Sequence, residues 1–225
     1  MDTAELYSTT AAVGDAITAC AVPRDELWIT SKLKGLPSGP YESVLARAKA
    51  LLADLKVDRV DLLLVHWPGR VHAMDGGPEA CMAASDWAYF EANVQQAWTN
   101  MHRLVEDGIA TRVGVSNFGV AHLAHLATVC PSLPTPFANQ VFIDAVHPQH
   151  TLVDYCQANG VAVMAYRSWR LCLCMAWPLA WVMAPPLRCK PWWQRPRLPT
   201  RTTSSCRGST LDTSPPWPNP RPWNT

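Results

Sequence analysis

Charge is scarce in this 225-residue chain: 16% of its residues are Asp, Glu, Lys or Arg, and they sum to a net +1. A nucleic-acid binder presents a basic face, so this balance argues against one. The N-terminus lacks the basic, apolar, small-residue order of a secretory leader, and a cytoplasmic location is the expectation. The eight Cys show no repeated pair spacing, which argues against a disulfide framework. No Cys/His pattern has zinc-ligand spacing. His72, His102, His122, His125, His147 and His150 stand without a partner at metal spacing, and His122 and His125 are expected on a polar helix face. No metal is expected. The uncharged stretch Leu171 to Leu187 is short for a bilayer span and carries Pro178, Pro185 and Pro186, so no membrane segment is expected either.

Acidic residues are nearly missing from the end of the chain. Residues 169–225 hold one, Asp212, against 8 basic residues, for a net +7. Residues 1–168 hold 17 acidic and 11 basic residues, for a net −6. The last 57 residues also hold 11 of the 20 Pro and 7 of the 11 Trp. A single domain does not change composition so abruptly. The reading is therefore a folded domain over 1–168 and an irregular Pro/Trp/Arg-rich tail over 169–225.

Five short apolar or β-branched runs mark strands: Leu27 to Thr30, Val60 to Val65, Val113 to Val115, Phe137 to Val141, and Val161 to Ala165. Continuous apolar runs, as opposed to alternating ones, suit parallel strands covered on both faces. Between them lie helical patterns. Val44, Leu45, Ala48, Leu51, Leu52 and Leu55 share one face, as do Val94, Trp98, Met101, Leu104 and Val105, with Gly108 as a C-terminal cap. Leu152, Val153, Tyr155 and Cys156 mark a shorter helix ending near Gly160. This order predicts right-handed βαβ crossovers and an α/β fold with a parallel sheet.

Polar residues punctuate the runs. Ser31-Lys32 follows the first, His66-Trp67-Pro68 the second, Ser116-Asn117 the third and Tyr166 the fifth, while Asn139-Gln140 lies late in the fourth. Parallel strands end on one edge, and in an eightfold βα barrel that edge carries the active site. Lys32, His66, Ser116, Asn117, Gln140 and Tyr166 are thus expected to converge. Ser116-Asn117 also suits the N-cap of a following helix, and Trp67 and Trp87 suit pocket walls or core.

Five motifs in order resemble the aldo-keto reductases: Asp2-Thr3-Ala4 with Tyr7, Ile29-Thr30-Ser31-Lys32-Leu33, Val65-His66-Trp67-Pro68, Gly114-Val115-Ser116-Asn117-Phe118, and Asn139-Gln140-Val141. The resemblance covers about residues 2–168. It implies a partial (β/α)8 TIM barrel with about five complete strands. The implied activity is NADPH-dependent reduction of a small-molecule aldehyde or ketone by a cytoplasmic protein, expected to be a monomer. It implies a catalytic tetrad of Asp2, Tyr7, Lys32 and His66. Tyr7 would be the general acid, Lys32 would bring its pKa down toward neutrality, and Asp2 would hold Lys32. His66 would orient the carbonyl oxygen, with Trp67 as a further substrate contact. Ser116, Asn117 and Gln140 would hold the nicotinamide carboxamide of NADPH, and Tyr166 would stack on its ring.

The chain departs from the family pattern in places. Ser8-Thr9-Thr10 stands where a Glu is usual, and Arg167 separates Tyr166 from Ser168. The first barrel strand, most of the second, and the eighth with its basic phosphate anchor are not readable. Trp has the single codon TGG, so the tail can be re-read on paper: one base earlier, Trp192-Trp193-Gln194 becomes Val-Ala after a variable residue. The tail is either a disordered basic extension or a frame-shifted copy of a missing segment. Alternative readings of the whole are a non-catalytic relative and a defective gene product without turnover.

Overall fold

A computed structural model of the protein describes residues 1–69 and 84–168, with the side chains of 84–86 left aside. The expectations for the tail, for the stretch Leu171 to Leu187 and for His72 lie outside the described residues. The elements run α1 (Thr10–Ala19), a 3-10 turn (Arg24–Glu26), β1 (Thr30–Leu33), α2 (Tyr41–Leu55), β2 (Val60–Val65), α3 (Ala84–Glu106), β3 (Ala110–Ser116), α4 (Val120–Val129), β4 (Ala138–Phe142), α5 (His150–Ala158) and β5 (Ala162–Tyr166).

The five strands form one sheet in sequence order, and every neighbouring pair is parallel. The expected α/β class with a parallel sheet is therefore present. On one face Leu33, Leu63, Val65, Val113, Val115 and Val141 meet Val44, Ala48, Leu51, Leu52 and Leu55 of α2 and Val94, Trp98, Met101 and Leu104 of α3. On the other face Leu62, Leu64 and Ala138 form a small cluster of their own. Strands β1, β2 and β4 are buried along nearly their whole length, which is why their sequences do not alternate. Strand β5 is exposed or half-buried throughout, against the expectation of cover on both faces.

Helix ends follow local chemistry. Gly108 closes α3 at φ +73, with its own N–H bonded to Val105 O and that of Ile109 to Leu104 O. Lys56 and Gly160 end α2 and α5 in the same left-handed region.

Strand β1 begins three residues later than its apolar run suggests. The Asp61 carboxylate takes the Ile29 N–H at 2.7 Å, and Ile29 O accepts from Asp61 N and Leu62 N. The regular ladder then starts at Thr30, opposite Leu62. Ser31 and Lys32 consequently lie inside the strand instead of after it. The N-cap of α4 is Gly119, not Ser116-Asn117: the Gly119 N–H donates to His122 Nδ1 at 3.1 Å. His122 and His125 do not form a polar face. His122 is buried, its ring 4.7 Å from Phe90, 5.3 Å from Trp87 and 5.7 Å from Phe118, and His125 touches Trp87 and Phe90.

Residues Met1 to Glu5 lie along β1, with Asp2 bridged to Thr30 in parallel. Thr3 N bonds Thr30 O, and Glu5 N bonds Lys32 O. Just beyond, α1 packs on α2 so closely that a Cβ on Gly14 would sit 2.2 Å from Asp54 O and 2.9 Å from the Leu55 carbonyl carbon. Backbone cannot yield as a flexible side chain can. Gly14→Ala is expected to lower unfolding free energy by about 3 kcal/mol, read from urea denaturation.

Candidate active site

The register brings the punctuating residues to one edge. Leu33 lies opposite Val65, Val65 opposite Val115, Ser116 opposite Gln140, and Phe142 opposite Tyr166. His66 follows β2 by one residue, and Asn117 follows β3 by one. Lys32, His66, Ser116, Asn117, Gln140 and Tyr166 all lie at or near the C-terminal ends of the parallel strands.

Among the described residues Lys32 is the largest fully buried polar side chain, 1% exposed. Its Nζ pairs with Asp2 Oδ1 and donates to Thr3 O at 3.0 Å. Nζ also lies 5.2 Å from the centre of the Tyr7 ring, and the His66 ring stands edge-on to Tyr7 at 5.6 Å. Trp67 stacks beside His66 at 6.2 Å. The four tetrad positions are thus in one place, although Tyr7 remains 38% exposed.

The electrostatics differ from the expectation for Tyr7. Burial, followed by the Asp2 carboxylate, pushes the Tyr7 hydroxyl above the ordinary tyrosine value, and Arg167 only partly opposes this. The Lys32 ammonium, paired with Asp2, is not among the groups that shift it. Burial also pulls Lys32 below the usual lysine range, and the bond to Asp2 works the other way. His66 is pulled down to about 4, first by burial and then by the Lys32 charge. At neutral pH the site therefore holds a protonated phenol and a neutral imidazole. The His66 Nδ1 is buried and has no hydrogen-bond partner among the described residues.

A second network lines the same edge. Asn117, in the left-handed region at φ +62, donates from Nδ2 to His66 O at 2.9 Å and to Ser116 Oγ at 3.1 Å. Its Oδ1 accepts from the Tyr166 hydroxyl at 2.7 Å, and its main-chain N–H bonds Gln140 O. Ser116 Oγ also donates to Gln140 O at 2.7 Å. Gln140 Nε2 reaches Asp2 Oδ2 at 2.6 Å, a contact with no local sequence pattern to announce it. Glu5, likewise not singled out in the sequence, receives Arg47 through both carboxylate oxygens and the Lys34 N–H, fixing the Tyr7 loop to β1 and α2.

Two carboxamides, a hydroxyl and an aromatic ring thus gather at the mouth of the parallel sheet, bonded to one another, to Asp2 and to neighbouring main chain. Among the described residues no three His, Cys, Asp or Glu side chains gather as a metal site. No described helix is long and apolar enough to cross a membrane.

Comparison with known proteins gives one answer. The aldo/keto reductase family model matches residues 1–169. Aldo-keto reductase family 1 member A1 of Gallus gallus is 34% identical over 173 residues, covering 74% of this chain and 51% of that protein. Glycerol 2-dehydrogenase (NADP(+)) of Saccharomyces cerevisiae is 34% identical over 179 residues, covering 74% and 54%. Among solved structures, an aldo/keto reductase from Brucella melitensis aligns with TM-score 0.60 at 29% identity, covering 74% of this chain and 57% of that one. A Bombyx mori aldo-keto reductase in complex with NADP aligns with TM-score 0.59 at 29% identity, covering 74% and 50%. The chain spans about half the length of the curated relatives it matches. With a family model matched over three quarters of its length, and with the family's motifs brought to one edge of a parallel sheet, the chain belongs to the aldo/keto reductase family.

Proposed function

We propose that this chain carries the reaction centre of an NADP-linked carbonyl reductase, acting in the cytoplasm as a monomer on a small aldehyde or ketone. The observation that carries this reading is the buried Lys32, paired with Asp2 and set 5.2 Å from the Tyr7 ring beside His66. Surface lysines need no such burial.

Ser116, Asn117 and Gln140 would hold the carboxamide of the nicotinamide, and Tyr166 would face its ring. When bound, the reduced nicotinamide supplies a hydride to the carbonyl carbon. Tyr7 then gives its proton to the carbonyl oxygen, and because its hydroxyl is held above the ordinary value it keeps that proton at neutral pH. Neutral His66 offers a ring N–H to the same oxygen, and Trp67 walls the substrate side. Asp2 compensates the buried ammonium of Lys32 and so holds that side chain beside the Tyr7 ring.

The test is consumption of NADPH by the purified chain with para-nitrobenzaldehyde. Carbonyl-dependent consumption supports the reductase reading. The second reading is a non-catalytic relative that binds the cofactor without turnover. It is favoured by one observation: burial, and then the Asp2 carboxylate, leave Tyr7 a weaker acid than a free tyrosine. Cofactor binding without consumption would establish it. Under the reductase reading, activity in the direction of reduction should stay level through neutral pH and fall only when the solution is alkaline enough to ionise Tyr7. A rate profile across that range, at saturating cofactor, checks this.

A further inference from the structure

Gln140 makes a contact that amide binding alone does not require. Its Nε2 donates to Asp2 Oδ2 at 2.6 Å across 138 positions of sequence, while Asp2 Oδ1 takes the Lys32 ammonium. The three side chains differ in exposure. Lys32 and Gln140 are buried, but the Asp2 side chain is 41% exposed. A carboxylate that exposed can turn toward water about its terminal torsion. The main-chain bonds of Met1 to Glu5 to β1 do not restrain that torsion, and on the β1 side only the ion pair with Lys32 holds the carboxylate. Gln140 comes from the other side, from a strand fixed by β3 and β5 and by Ser116. The neighbouring Asn139 faces away from the mouth, where its amide bonds the Phe118 main chain.

We propose that Gln140 is a positioning residue for the proton donor: its amide holds the Asp2 carboxylate with one oxygen toward Lys32, and so holds the ammonium beside Tyr7. One N–H is used for this. The second N–H and Oε1 are left for an amide ligand, so one side chain serves both halves of the site. The proposal rests on the reductase reading for its purpose, but its geometry can be tested without cofactor.

Two substitutions should act in opposite directions. Gln140→Leu removes the hydrogen bond, lets Asp2 turn to water, and leaves the buried ammonium less compensated, so Lys32 loses its proton more readily. Gln140→Glu adds a second carboxylate beside Asp2, so Lys32 holds its proton more firmly. A residue that only filled space would not give shifts of opposite sign. The experiment is a pH titration of the lysine side-chain NMR signals in the carbon-13-labelled full chain without cofactor, with Lys32→Met assigning the signal and circular dichroism confirming the fold. The Lys32 midpoint should fall by about one pH unit in Gln140→Leu and rise by about as much in Gln140→Glu. If Gln140→Leu does not fold, the unsubstituted chain still provides a test: its Gln140 side-chain amide signals should move on Asp2→Asn. Unmoved midpoints, shifts of one sign in both variants, or Gln140 signals indifferent to Asp2→Asn would overturn the proposal. Lack of NADPH consumption alongside the expected shifts would overturn the reductase reading and leave the positioning role standing.

Discussion

Tyr7→Phe is expected to lower the turnover of carbonyl-dependent NADPH consumption by about 10²–10⁴-fold, with little change in cofactor affinity. The substitution is conservative for everything except the proton. Phe keeps the ring that stands edge-on to His66 and beside the Lys32 ammonium. The tyrosine is partly exposed, so losing its hydroxyl strands no buried polar group. His66 cannot replace it as an acid, because its imidazole is pulled down to about 4 and is neutral at pH 7. Lys32 is committed to Asp2 and Thr3. The measurement is steady-state kinetics on both chains. A variant with undiminished turnover would mean that the proton comes from solvent.

The second large effect is on stability in mild acid. His66 and His122 are both pulled from an ordinary 6.5 to about 4, chiefly by burial, with Lys32 adding to it for His66 and His125 for His122. Each binds its proton less readily folded than unfolded, so the unfolded chain takes up more protons between those values. Their contribution is complete above pH 6.5 and is lost as pH falls toward 4. It amounts to about 2–3 kcal/mol for each histidine over the whole window. For His122 the geometry points the same way: protonation would put a hydrogen on Nδ1, the atom that accepts the Gly119 N–H at the start of α4. Two carboxylates that folding favours in their charged form, Glu5 and Asp144, sit below their ordinary 4.5 and 3.8, so their contributions fade only at lower pH. Urea midpoints at pH 7 and pH 5 should therefore differ through the histidines, and the difference should shrink in His66→Gln and His122→Gln. A flat profile would contradict the burial argument.

How far the sequence carried the fold depended on the kind of signal. The strands of a parallel sheet were legible because apolar runs such as Val60 to Val65 are buried on both faces. Helices α2 and α3 showed themselves by spacing. Helix α1 did not, because its buried face consists of Thr10, Gly14 and Ile17, a small polar residue and a glycine where an apolar stripe is sought. His122 was misplaced because imidazole is ranked with polar side chains, whereas here its neutral ring packs among Trp87, Phe90 and Phe118. The start of β1 differs from the apolar run because one carboxylate, Asp61, takes the Ile29 N–H that a count of apolar residues assigns to the ladder. Within the site, motifs placed the chemistry-bearing residues along the edge. The bond from Gln140 to Asp2 has no local pattern to reveal it, since it depends on the N-terminal segment lying on β1 while β4 reaches from the far side.

One feature of that edge bears on the thermodynamics of any ligand seated there. Asn117 holds a left-handed backbone and spends both ends of its carboxamide on partners from other strands, His66 and Tyr166. Its rotamer and that of Tyr166 are therefore fixed before a guest arrives. Freezing a mobile side chain on binding typically costs about 0.5–1.5 kcal/mol. Here that loss of freedom was met when the chain folded. Association at this edge should accordingly show a small conformational-entropy penalty, and an enthalpy that reflects exchanging one set of hydrogen bonds for another.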